Sequence, residues 1–134
     1  MAKALALGAD AVSIGTAALI ALGDNDPRHD EEYRALGSAA GFYDRYADGR
    51  DPAGITTQDP ELTGRFNPIE GGKRLANFLR VMTMEAQALA RACGKAHLLH
   101  LEPEDLVALT IEAAAMARVP LAGTSWIPGS MTDP

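Results

Sequence analysis

Cysteine is almost missing from this sequence: Cys93 stands alone among 134 residues. One thiol excludes an internal disulfide and any iron–sulfur cluster held by the chain's own cysteines, and it suits a reducing cytoplasm. Aromatic residues are also scarce, at 5%, whereas Ala, Leu and Gly abound, which points to helices packed on small residues rather than to a β-sandwich. Basic residues are outnumbered, with 12 Lys and Arg against 18 Asp and Glu and a formal charge of −6. No basic patch offers itself to phosphates, so nucleic acid is not the expected partner. Nor is there a long apolar run. The N-terminal "ALALGADAVSIGTAALIALG" is broken by Gly8, Asp10 and Gly15, and a membrane-spanning helix wants roughly 20 unbroken apolar residues.

What is present is enough for a core, since 47% of the residues are hydrophobic. "MAKALALGAD" reads as the end of a helix, stopped by a left-handed Gly8 after Leu7. Ala11 to Ile14 then has the composition of a short buried parallel strand, and "TAALIAL" returns to helix. A parallel strand cannot stand alone, so its partner strands are expected to lie outside this sequence. From Asp24 to Asp59 the chain is rich in loop signals, with one helical stretch in which Tyr33, Leu36, Ala40 and Tyr43 share a face. Within it, "DNDPRHDEE" reads as a solvated loop and helix start. Asn67 is a candidate cap, with Pro68 at the first helical position. The strongest period follows from Pro68 to Cys93, through Leu75, Phe78, Leu79, Met82, Ala86, Leu89 and Ala90, and Gly94 ends it. Another helix is expected from near Pro103 to Val119, carrying Leu106, Leu109, Ala113 and Met116 inward.

Few residues carry a chemical signal. Gly15 and Thr16 form a strand-to-helix corner whose backbone N–H groups, open glycine face and hydroxyl could hold a phosphate. The same corner also serves as a plain tight turn capped by Thr16, and the spacing does not choose between them. His97 and His100 are three apart but lack further ligands at a metal-binding spacing. Cys93 falls on the apolar face of the long helix and reads as an inert buried thiol.

Taken together, "KALALGADAVSIGTAALIALG", "GITTQDPEL" and "LEPEDLVALTIEAAAMARVPLAG" resemble the C-terminal end of the FMN-binding, glutamate synthase-type domain. The resemblance implies an α/β fold: the last helix, strand and helix of a (β/α)8 barrel in residues 1–23, a loop-rich insertion over 24–60 and a helical C-terminal extension over 61–134. Taken as an isolated chain, it is expected to be mostly α. In that family FMN passes electrons to 2-iminoglutarate to make glutamate, and the phosphate corner after strand eight maps onto Gly15 and Thr16. The family pattern has cysteines where this chain has Asp24 and Asp51. Carboxylates are poor ligands for an iron–sulfur cluster, so the resemblance is to the cluster-free, large subunit-like or N-methylglutamate synthase-type branch. A whole barrel needs about 250 residues. The expected partner is therefore the rest of the barrel or a companion subunit, and Met1 falls inside what the family has as the helix before strand eight. The competing expectation is a non-enzymatic helical module that self-associates through its unpaired strand.

Overall fold

In the computed structural model, which describes residues 1–24 and 26–130, the chain forms two compact units. One comprises Met1–Ser13 with Met82–Pro134, the other Ile14–Val81. Among the described residues the regular structure is helical, and the only β pairing is an isolated parallel bridge between Ala108 and Leu121.

In the unit built on Ile14–Val81, helix α2 (Thr16–Leu19) passes directly into a π-turn, Ile20–Asp24, bent at Gly23, where φ is 128°. Only glycine adopts that angle readily. Arg74 donates to the Leu22 carbonyl beside this bend, closing a free acceptor of the turn. Helix α3 (Asp30–Ala35) is shorter than the expected stretch and ends at Gly37, where φ is 72°. The expected core face nevertheless holds: Tyr33 and Tyr43 are buried with Ala53, and Leu36, Ala40, Tyr46 and Ile55 pack around them. The Tyr43 and Tyr46 rings meet edge to face with centroids 5.9 Å apart, a preferred aromatic geometry. The chain then turns at Asp51–Gly54 and enters α4 (Pro60–Thr63), where the Asp59 carboxylate accepts from the N–H groups of Glu61 and Leu62.

The longest helix, α5, runs Pro68–Ala92. Asn67 caps it as the sequence indicates: its Oδ1 accepts from the N–H groups of Ile69 and Glu70. Substituting Asn67 by alanine is expected to lower stability by about 1 kcal/mol, read as a shift in the urea midpoint. At its far end Gly94 is left-handed, with φ 75°, and the Lys95 N–H returns to the Ala90 carbonyl. This closure satisfies carbonyls that the last turn leaves free.

In the unit formed by Met1–Ser13 and Met82–Pro134, α1 (Ala2–Ala6) ends as expected at Gly8, whose φ is 95°, with the Ala9 N–H on the Ala4 carbonyl. Ala6, Ala90 and Leu101 form one buried cluster, and Ala108, Ala114 and Val119 another. Three sequence expectations need correction. Ala11 to Ile14 is not a strand, because no strand of the described residues pairs with it. The expected continuous helix from Pro103 is a short turn, Pro103–Asp105, followed by an extended Leu106 and a separate α6 (Ile111–Ala117). Asp105 folds back on the Glu102 N–H, while Ala108 donates to Pro120 and accepts from Ala122, so local and bridge bonds outcompete a continuing helix. As a result Leu109 and Met116, expected inward, are 85% and 87% exposed. Cys93 is likewise exposed rather than buried.

Candidate functional site

Gly15 precedes α2 with φ 41° and ψ −124°, and a Cβ placed on it would meet nothing within 4 Å. The corner is thus exposed and open on the side where a ligand would approach. Thr16 is the first helical residue rather than the cap, and no side chain caps this helix. The Ala17 and Ala18 N–H groups bond to Ile14 and Gly15 at 3.3 and 3.0 Å. The N–H groups that remain to face a ligand are those of Gly15 and Thr16. Because α2 is a single turn, they act as hydrogen-bond donors with little macrodipole behind them.

The second site lies deeper in the same unit. Asp24 and Asp51, the two positions at which the resembled family's pattern has cysteines, are 2% and 0% exposed and are joined by Tyr33, itself fully buried. The Tyr33 hydroxyl lies 2.9 Å from Asp24 Oδ1 and 3.0 Å from Asp51 Oδ1. Asp51 is also the hub of the "PAGITT" turn. Its Oδ1 accepts from the Ala53 N–H, and its Oδ2 from the Ile55 N–H, the Thr56 N–H and the Thr56 hydroxyl, at 2.8–3.1 Å. Asp24 Oδ2, by contrast, is buried with no partner. Burial pushes the Asp24 carboxyl above its usual range and the Asp51 charge pushes the same way, while the Tyr33 hydrogen bond opposes them. Burial and the two carboxyls also raise the Tyr33 phenol, which stays protonated.

Sequence reading singled out Asp24 and Asp51 but missed Tyr33, which counted only as one member of an apolar helix face. The missed signal is chemical: Tyr33 and Tyr43 are the residues on that face with a hydroxyl to place, and a buried hydroxyl needs a partner, which Tyr43 finds in the Arg45 carbonyl.

The remaining candidates are structural. The His97 and His100 rings are 5.7 Å apart, but His97 Nδ1 accepts from the Leu99 N–H and caps a short turn. Among the described residues no group of three or more His, Cys, Asp or Glu side chains is placed to hold a metal ion. The acidic run is not solvated throughout, because Asp24 at its start is buried; from Asp26 on it is a surface of ion pairs, Asp26 with Arg28, Asp30 with Arg34, and Glu32 with Arg65 at 2.7 Å. Arg28 draws the Asp26 carboxyl down to about 2. Asn25 lies outside the described residues. No helix of the described residues is long and apolar enough to cross a membrane.

Residues 47–96, which include the Asp51 hub, α4 and α5, match the conserved region in glutamate synthase. The class to which the sequence points is therefore glutamate synthase-like. More particularly, the chain is 70% identical over 132 residues, 98% of its length, to a glutamate synthase large subunit-like protein of Rhizobium meliloti. It is also 42% identical over 92 residues to an archaeal glutamate synthase [NADPH] of Methanocaldococcus jannaschii, and 44% identical over 92 residues to an archaeal-type glutamate synthase [NADPH] of Thermotoga maritima. The chain spans 30% of the length of the first of these relatives and 15% of the other two. No solved structure matches it.

Proposed function

We propose that this chain is the C-terminal segment of an FMN-dependent, glutamate synthase-like oxidoreductase of glutamate or N-methylglutamate metabolism, completed by a polypeptide that supplies the rest of a (β/α)8 barrel. The observation that carries the reading is the 70% identity along nearly the whole chain to a large subunit-like protein several times its length. In the completed barrel, residues 11–14 become the last strand by pairing with neighbours, and Gly15 and Thr16 form one wall of the phosphate site. The open face of Gly15 supports this role, since a phosphate can approach the backbone there without meeting a Cβ. The Gly15 and Thr16 N–H groups and the Thr16 hydroxyl would donate to phosphate oxygens and fix the cofactor's position. When bound, FMN supplies the electron transfer that reduces an imine to an amine. The reading places the protein in the cytoplasm and requires no iron–sulfur cluster.

Co-expression with the complementary barrel polypeptide is expected to give a yellow complex that retains FMN through gel filtration. Gly15→Val in that complex is expected to weaken FMN retention about 10- to 100-fold, because its side chain holds the phosphate away from the backbone N–H groups. A colourless complex, or none, overturns the proposal. The second reading, a self-associating helical module, is favoured by exposed apolar side chains such as Leu109, Met116, Ile69 and Phe42. Gel filtration of the chain alone distinguishes it, because a monomer at all concentrations rules self-association out.

A further inference from the structure

We propose that Asp24, Tyr33 and Asp51 share one extra proton and act as a pH-sensitive latch on the loop-rich segment of their unit, fastened while the proton is held and loosened when it leaves. The argument starts from a shortage of hydrogens. Tyr33 carries a single hydroxyl proton, yet its oxygen is within 3.0 Å of an oxygen from each carboxyl. If both acids are ionised, one of these contacts sets lone pair against lone pair in a site closed to water. A proton on one carboxyl removes the conflict, because that acid donates to Tyr33 and Tyr33 donates to the other.

The donors around the site decide where the proton sits. Asp51 takes four further hydrogen bonds from N–H and O–H groups, a set that suits an acceptor-only carboxylate. Among the described residues, Asp24 has Tyr33 alone on Oδ1 and nothing on Oδ2. The proton therefore belongs on Asp24, in keeping with the upward push of burial and of the Asp51 charge. Among the described residues no cation bonds to Asp24. Of the charged groups nearby, Arg74 donates to the Leu22 carbonyl, and Arg65 to Glu32 and the Pro52 carbonyl, while His29 faces Glu32. The three bridged residues come from separate elements, the π-turn after α2, α3 and the turn before α4. The bridge thus adds a buried polar tie between stretches of chain that the Tyr33–Tyr43–Ala53 cluster and Arg65 also join.

The sign follows from the direction of the shift. An acid raised in the folded state stabilises it fully below the ordinary value of 3.8, and that stabilisation is lost as pH rises through the folded-state pKa. Asp24→Asn keeps an N–H donor for Tyr33 with no proton to lose. Equilibrium urea unfolding of the full chain, followed by tyrosine near-ultraviolet circular dichroism from about pH 4 to about pH 8, compares the two proteins. The native protein is expected to lose stability relative to the variant as pH rises, by about tenfold in its folded-to-unfolded ratio for each unit of upward shift. In the native protein, carbon-13 NMR of the Asp24 carboxyl is expected to show titration above 3.8. Titration at or below that value, or identical pH slopes for the two proteins, overturns the latch. If the variant does not fold, the carboxyl titration decides alone.

Discussion

Asp51→Ala is expected to destabilise the Ile14–Val81 unit by about 4 kcal/mol, a large part of the whole for a domain whose net stability is on the order of 5–15 kcal/mol. The carboxylate receives five donors: the N–H groups of Ala53, Ile55 and Thr56 and the hydroxyls of Thr56 and Tyr33. Alanine leaves the Ala53, Ile55 and Thr56 donors without an acceptor, four in all, while the Tyr33 hydroxyl can still turn to Asp24. Each buried donor left unpaired costs about 1–3 kcal/mol, less where water reaches it. Ala53 is buried, while Ile55 and Thr56 are partly open, so the sum falls short of four full penalties. Asp51→Asn retains one carbonyl acceptor but turns an amide toward other donors, and roughly half the loss is expected. Urea unfolding read by tyrosine near-ultraviolet dichroism is the appropriate measurement, because Tyr33 and Tyr43 sit in this unit and Trp126 in the other. Equal stability of Asp51→Ala and the native protein would refute the hub.

Gly54→Ala is the second large effect. Gly54 sits at φ 75°, and a Cβ there would lie 2.0 Å from the Leu62 carbonyl oxygen and 2.9 Å from its carbon. The left-handed angle costs a non-glycine residue about 1–2 kcal/mol. Displacing the α4 backbone adds about 1–3 kcal/mol, as overpacking does elsewhere. A combined loss of about 2–5 kcal/mol is expected, visible as a lowered urea midpoint for the same unit. Gly15→Ala is the internal control: its Cβ meets open space, so only the backbone angle is penalised. If the two variants prove equally stable, the tight approach of α4 to this turn is wrong.

Where structure is decided by neighbours in the chain, the sequence was legible. Gly8 and Gly94 end their helices and Asn67 starts α5, each through bonds that reach no more than five residues. The helix expected from Pro103 failed for the opposite reason. Ala108 is claimed by Pro120 and Ala122, more than ten residues away, and apolar periodicity does not register such a competitor. The strand at 11–14 failed because a strand is a property of a pair. For the candidate sites the division is similar. Gly15, Thr16, Asp24 and Asp51 could all be singled out from motif positions, but the meeting of the two acids at Tyr33 joins residues 9 and 18 apart along the chain. No helical or strand period encodes that separation.

The polar centre of Ile14–Val81 is made from carboxyl, phenol and backbone amide groups. None of these changes with the ambient redox potential, and none depends on delivery of a metal. A loop closed in this way needs neither thiol oxidation nor cluster assembly to hold its polar centre together, and under the proposed latch it is the loss of acidity that loosens it.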